Sequence, residues 1–230
     1  TASFSVAVLK MLVEEGYNVV GVVSQPDRFV GRKKVLTMPD VKVEALKHNI
    51  PVIQPARIKE DYEDILALEP ELIITAAYGQ IVPQVILDAP RLGCVNVHAS
   101  LLPLYRGGAP VHQCIIDGQE KTGVTIMYMV KKMDAGNIIS QKETPILDSD
   151  TVGILYDRLT DLGAELLKEM GIIKAELSGV KVLGNGEISK KLTVRAHKFS
   201  KVAKEKIKSV STIGNSSNLE LGDTVFTVGA

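Results

Sequence analysis

Helix-like and strand-like segments alternate along the first 170 residues, and this alternation limits the possible folds more than any other feature of the chain. Phe4, Val8, Met11 and Leu12 recur at helical spacing, and Gly16 follows as a C-terminal stop. The valine-rich run 19–23, interrupted only by Gly21, reads as a strand buried on both faces, as a helix-covered parallel sheet requires. The pattern then predicts a helix over 41–47, a strand over 71–76, a helix over 82–87, a strand over 94–98 and a helix over 109–117. Two more strands, 123–130 and 137–144, precede a long helix. Its apolar stripe is Val152, Leu155, Tyr156, Leu159, Leu162, Leu166 and Leu167, and Asp150 is its expected cap. A series of this kind predicts a doubly wound α/β domain with a mostly parallel sheet and right-handed crossovers.

Length and composition bound the rest. A chain of 230 residues with 45% hydrophobic content buries a core of its own and holds one domain, or one plus a small appendage. Lys+Arg and Asp+Glu both total 27, so any attraction to a polyanion must come from local clustering, and one cluster exists at 28–34. Cys94 and Cys114 lie in apolar stretches without a disulfide framework, a paired ligand motif or a secretory leader, which fits a reducing, cytoplasmic setting. No apolar run approaches the ~20 residues that cross a bilayer, so no membrane partner is expected. Helical spacing begins within the first few residues, and one strand is expected to be missing in front of it. After Met170 the texture changes. Gly-, Ser- and Asn-rich turns at 178–179, 184–186 and 214–218 punctuate β-like runs at 192–196 and 224–228. The expected organisation is therefore 1–170 as the main domain and 171–230 as a small β-rich segment.

Ligands of open α/β sheets bind where strands end and loops emerge. The strand 94–98 places Asn96 and His98 on one face and Val95 and Val97 on the other. An isolated Asn-x-His pair more often completes hydrogen bonds in a buried layer. Here the following loop carries Leu101 and Leu102 near its tip, with Pro103, Gly107 and Gly108 allowing a close backbone approach, which suits either a flat aromatic ligand or a turn tucked onto the core. Asp134 lies in the turn 133–137 between two predicted strands, either as an ordinary turn residue or facing the imidazole. An amide that holds an oxyanion, a histidine that moves a proton and a carboxylate that orients it suit transfer of an acyl-like group, with no demand for a metal or a covalent nucleophile.

The run Asn96-Val97-His98-Ala99-Ser100-Leu101-Leu102-Pro103, continuing through Tyr105-Arg106-Gly107-Gly108-Ala109-Pro110, resembles the signature of folate-dependent formyltransferases. The Arg-Gly-Gly-Ala-Pro extension and the helix 111–118 are similar to the branch acting on methionyl-tRNA. Gln25-Pro26-Asp27-Arg28, Gly31-Arg32-Lys33-Lys34, Ala77-Tyr78-Gly79-Gln80 and Asp134-Ala135-Gly136 extend the likeness over residues 1–170. The resemblance implies a formyltransferase fold and an enzyme of translation initiation; a monomer is expected, although the sequence does not reveal the oligomeric state. Its co-substrate would be 10-formyltetrahydrofolate, and its acceptor the amino group of initiator methionyl-tRNA. Asn96 would hold the formyl oxygen, His98 would transfer a proton, and Asp134 would support His98 and the departing folate nitrogen. Tyr78, Gly79, Gln80, Ser100, Leu101, Leu102 and Pro103 would line the folate site. Arg28, Arg32, Lys33, Lys34 and Arg106 would meet tRNA phosphates, although a basic stretch of this length is more commonly a solvated loop.

The chain departs from the family pattern in two places. Phe29 stands where proline is expected, and Met38 and Asp40 interrupt a proline run. The 60 residues after Met170 are too few for the C-terminal β-barrel of the family. Residues 209–230 instead look a little like a stretch of trypsin-like stress proteases, with no nucleophile motif, so no protease activity is inferred. Two alternatives stay open: a formyltransferase for a small amine such as glycinamide ribonucleotide or an amino-sugar nucleotide, and a non-catalytic folate- or tRNA-binding module.

Overall fold

In a computed structural model of the chain, residues 2–171 are described throughout, followed by the strand segments 181–182, 194–196, 198–199 and 224–226. The chain divides into two units, residues 1–170 and 171–230. The first unit opens with α1 (Ala2–Glu14). Gly16 ends it with a φ of +76°, and Tyr17 N–H to Leu12 O with Gly16 N–H to Val13 O closes the helix as a Schellman turn.

β1 (Val22–Val23) pairs in parallel with β4 (Val52–Ile53). The strand is shorter than the valine run suggests, and Val20 is 36% exposed. Its partner is the reason: Pro51 and Pro55 flank β4 and have no N–H to extend the ladder. The basic stretch forms an antiparallel hairpin, β2 (Arg28–Val30) with β3 (Val35–Thr37). α2 (Asp40–Lys47) follows, then α3 (Glu63–Ala67).

The main sheet has the order β5 (Ile73–Ala76), β6 (Cys94–His98), β7 (Lys121–Tyr128), β8 (Ile138–Pro145). β5 and β6 are parallel, whereas β6–β7 and β7–β8 are antiparallel. The α/β architecture is as expected, but this sheet is mixed rather than mostly parallel. The helices α4 (Gln84–Leu87) and α5 (Pro110–Ile116) connect its strands, and α6 (Val152–Met170) closes the unit.

Val95 and Val97 point into the core, as strand alternation requires, and the small Gly163 of α6 lets Val97 and Phe4 approach the helix closely. Phe4 meets Tyr156 edge to face, with ring centroids 5.9 Å apart. Ile58, Ile65, Val82, Ile86, Leu87 and Cys94 form a second cluster on which Tyr78 packs. A third joins Leu9, Val22, Ala45 and Ile50.

Asp150 does not cap α6. Thr151 does, its Oγ1 accepting the Ile154 N–H at 3.3 Å. Asp150 instead accepts the Leu147 N–H at 2.9 Å and a two-pronged pair from Arg158 at 2.7 and 2.8 Å. The guanidinium offers the carboxylate more than a helix terminus does, and one residue later a shorter hydroxyl suffices for the cap.

In the second unit β9 (Lys181–Val182) pairs in parallel with β11 (Lys198–Phe199), and β10 (Val194–Ala196) pairs antiparallel with β12 (Thr224–Phe226). The glycine-rich turns at 178–179, 184–186 and 214–218, and most of 209–230, lie outside the described residues.

Candidate active site

β6 ends at the carboxyl edge of the sheet, and its polar face carries Asn96 and His98. The register sets Thr75 of β5 and Met127 of β7 beside Asn96, and Thr125 of β7 beside His98. Thr75 Oγ1 donates to Asn96 Oδ1 at 2.8 Å. Among the described residues the Asn96 Nδ2 group has no hydrogen-bond partner and can donate to a ligand oxygen.

His98 is held on two sides. Its Nε2 lies 3.0 Å from the Tyr105 carbonyl. A carbonyl only accepts, so Nε2 carries a hydrogen and Nδ1 is the nitrogen on the Asp134 side. Nδ1 is 3.8 Å from Asp134 Oδ2, with side chains 8% and 13% exposed. That separation is an electrostatic contact rather than a formed hydrogen bond. Asp134 Oδ2 also accepts the Gly107 N–H at 2.8 Å. The carboxylate thus bridges the glycine loop and the imidazole.

The backbone around these groups is unusually bent. Ala77, Tyr105, Ala109 and Asp134 all have φ between +46° and +82°, and Gly79 and Gly107 have +83° and +90°. Left-handed non-glycine residues persist only where surrounding contacts impose them. Gly136 shows such a constraint: a Cβ there would sit 1.8 Å from the Tyr128 carbonyl oxygen, so only glycine lets the β7–β8 connection pass.

The loop after His98 lies directly on the sheet. Leu101 covers Gly123, where a Cβ would meet its Cδ2 at 2.6 Å. Ser100 and Leu102 are buried. The Ser100 hydroxyl turns into its own loop and donates to Leu104 O at 2.7 Å. Leu101 is half-buried and Pro103 exposed, so these two form the outward surface, with Ser100 and Leu102 as supports behind it.

Tyr78 packs its ring on the second core cluster, and its enclosed hydroxyl has no hydrogen-bond partner. Burial pushes that phenol above its usual range. Its carbonyl accepts Gln25 Nε2 at 2.9 Å, and Gln80 Nε2 donates to Gln25 Oε1 at 3.2 Å. Gln25 therefore ties the root of the basic hairpin to the Tyr78–Gln80 segment. Lys42 and Gln54 complete the anchor: Lys42 Nζ donates to both Asp27 oxygens at 2.8 and 2.9 Å, and Gln54 Nε2 to Asp27 Oδ1 at 2.8 Å. The Lys42 ammonium and the Gln54 amide hold the Asp27 carboxyl below its ordinary range. Beyond this anchor the hairpin stands in solvent. Arg28, Arg32, Lys33 and Lys34 are exposed, and so is Phe29, at 70%. Arg106 is likewise exposed.

The structure gathers Asn96, His98, Asp134 and the 100–107 loop, and links the Tyr78–Gln80 segment to the hairpin root. Sequence reading misses Thr75, Thr125, Gln141 and the Tyr105 carbonyl. The one signal for Thr125 is a polar residue inside the apolar run 124–127. Among the described residues no group of three or more His, Cys, Asp or Glu gathers as a metal site, and no helix is long and apolar enough to cross a membrane.

Residues 1–170 match the family model described as formyl transferase, and the chain belongs to that family. Methionyl-tRNA formyltransferase of Bacillus thuringiensis subsp. konkukian (strain 97-27) is 63% identical over 171 residues, covering 74% of this chain and 54% of that protein. The protein of the same name from Bacillus anthracis (strain A0248) matches equally. The chain spans about half the length of these curated relatives. Glycinamide ribonucleotide transformylase 1 from Symbiobacterium toebii shares the fold, with a TM-score of 0.63 at 24% identity over 78% of this chain and 85% of that one. Phosphoribosylglycinamide formyltransferase from Bacillus halodurans gives 0.63 at 22% identity, covering 76% and 91%. A second family model, of large-subunit ribosomal proteins that include 50S-L15 and 50S-L18e, matches residues 137–211. Its first part overlaps β8 and α6 of the formyl transferase unit.

Proposed function

We propose that residues 1–170 form the catalytic domain of an enzyme that transfers a formyl group from 10-formyltetrahydrofolate to the amino group of initiator methionyl-tRNA. The observation that carries the reading is the 63% identity to methionyl-tRNA formyltransferases over the segment that holds Asn96, His98 and Asp134. Leu101 and Pro103, with the Tyr78–Gln80 segment, would receive the folate, and the unpaired Asn96 N–H donors would face the formyl oxygen as charge builds on it. The acceptor nitrogen attacks the formyl carbon, the C=O bond opens to an oxyanion held by Asn96, and the attacking nitrogen, now an ammonium, loses its proton to His98. Return of a proton to the folate nitrogen lets the C–N bond break and the carbonyl reform. Asp134 would support the imidazole while it carries that proton.

An exposed basic hairpin favours a polyanionic acceptor over a small amine, with Arg28, Arg32, Lys33, Lys34 and Arg106 as phosphate contacts. The test is a formylation assay of the chain with charged initiator tRNA and, separately, glycinamide ribonucleotide. Transfer to tRNA that falls steeply with salt and is lost in His98→Ala is expected. Preference for the small amine would overturn the acceptor, and full activity in His98→Ala would overturn the mechanism.

A further inference from the structure

Two side chains outside the catalytic trio fasten the 100–105 loop to the sheet. Thr125 Oγ1 donates to Ser100 O at 2.6 Å and accepts the Leu102 N–H at 3.0 Å and Gln141 Nε2 at 2.8 Å. A hydroxyl has one donor and two acceptor sites, so Thr125 is fully used. Gln141 Nε2 also donates to Leu102 O at 2.9 Å. Both backbone polar groups of Leu102 therefore end on these two side chains. The register explains the placement: His98 pairs with Thr125, and Thr125 with Gln141, so imidazole, hydroxyl and amide stand in one row across β6, β7 and β8. The same loop then runs to Tyr105, whose carbonyl takes the His98 Nε2 hydrogen.

We infer that Thr125 and Gln141 form a latch, a pair of positioning residues that order the Ser100–Leu102 part of the loop to receive the folate donor. This deepens the proposed function and rests on it. The latch requires donors at 141 and a hydroxyl at 125. Gln141→Glu keeps the length of the side chain but has no N–H for Leu102 O. Thr125→Val keeps the branched shape and removes the hydroxyl, and Thr125→Ser restores it.

Hydrogen exchange at the Leu102 amide and donor KM, measured on the unaltered chain and these three variants, test the latch. In Thr125→Val and Gln141→Glu the amide exchanges at least about tenfold faster, as local opening predicts, and in Thr125→Ser it does not. Donor KM rises roughly tenfold in Gln141→Glu while kcat at saturating donor stays within about threefold, the signature of weakened ground-state binding. Unchanged Leu102 exchange, or an unchanged donor KM with faster exchange, overturns the latch. If Thr125→Val does not fold, Gln141→Glu decides alone, because its side chain sits on the outer strand of the sheet. Failure of the unaltered chain to use the donor would instead sink the functional reading, and it is visible before any variant is compared.

Discussion

Replacing Asp134 by asparagine and by alanine separates the charge at that position from its structural work. Asp134 has a φ of +46° and accepts the Gly107 N–H at 2.8 Å. Asparagine tolerates the left-handed region and its carbonyl can take the same N–H. The change trades a charge-assisted bond for a neutral one, a loss of about 1 kcal/mol. Alanine leaves the Gly107 N–H without its acceptor, roughly 1–3 kcal/mol, and adds about 1–2 kcal/mol for its own left-handed backbone. At roughly 2–4 °C per kcal/mol for a chain of this size, Asp134→Asn melts about 2–4 °C lower and Asp134→Ala about 4–20 °C lower. Both remove the carboxylate 3.8 Å from His98 Nδ1. If that carboxylate supports proton transfer, both lose about 10²–10⁴ in kcat, the usual scale of general acid–base assistance. Thermal melts and single-turnover formylation well below both melting points read the two effects separately. Asp134→Asn with more than about a tenth of the unaltered rate, or kinetic losses that follow the melting temperatures, would refute the reasoning.

The same geometry predicts four other outcomes. Tyr78→Phe removes a buried hydroxyl without a partner and leaves stability unchanged or raises it by about 1 kcal/mol in denaturant titration; a loss of about 2 kcal/mol would mean the hydroxyl is satisfied. Gly136→Ala drives a methyl into the Tyr128 carbonyl and costs at least about 3 kcal/mol, since backbone rather than a flexible side chain must move; a melting curve matching the unaltered chain would contradict the close approach. The thiol of Cys94, pushed up to about 12 by burial, and that of buried Cys114, also raised, stay silent to thiol reagents at about pH 8 until the chain is unfolded; rapid native labelling would contradict their burial. Asp27 and Asp150 have carboxyls held below the ordinary 3.8 by Lys42 and Arg158, so their stabilisation is complete above that value and is lost as pH falls through their lower folded values. Denaturant midpoints therefore decline below about pH 4, and less steeply in Lys42→Met or Arg158→Met; slopes identical to the unaltered chain would refute the assignment.

Elements whose signal is local are legible in the sequence, and those that depend on a distant partner are not. The strand Cys94–His98 matches its expected bounds, because an apolar period of two sits there between a glycine and a loop. Gly16 ends α1 as expected, since a left-handed C-terminal residue is written into the sequence. β4 and α3 escape sequence reading, being short and bordered by Pro51, Pro55 and charged residues that dilute any periodicity. The basic stretch reads as a loop, and it pairs as a hairpin whose residues are exposed on both strands, so no alternation marks it.

The candidate site divides along the same line. Asn96 and His98 share a face because they are two residues apart, a fact any strand assignment supplies. Thr125 reaches His98 only through the β6–β7 register, and Gln141 reaches Thr125 only through the β7–β8 register, which contains an irregularity between Ile126 and Met127. Register is set by the whole sheet rather than by either strand, and a slip of one residue would turn Thr125 to the opposite face. The identities of the candidate groups are therefore carried by short motifs, whereas the contacts that hold them in place are carried by strand pairing. Gly136 joins the two levels. Its missing Cβ permits the close crossing over Tyr128 that sets the β7–β8 connection, and that connection delivers Asp134 to the imidazole.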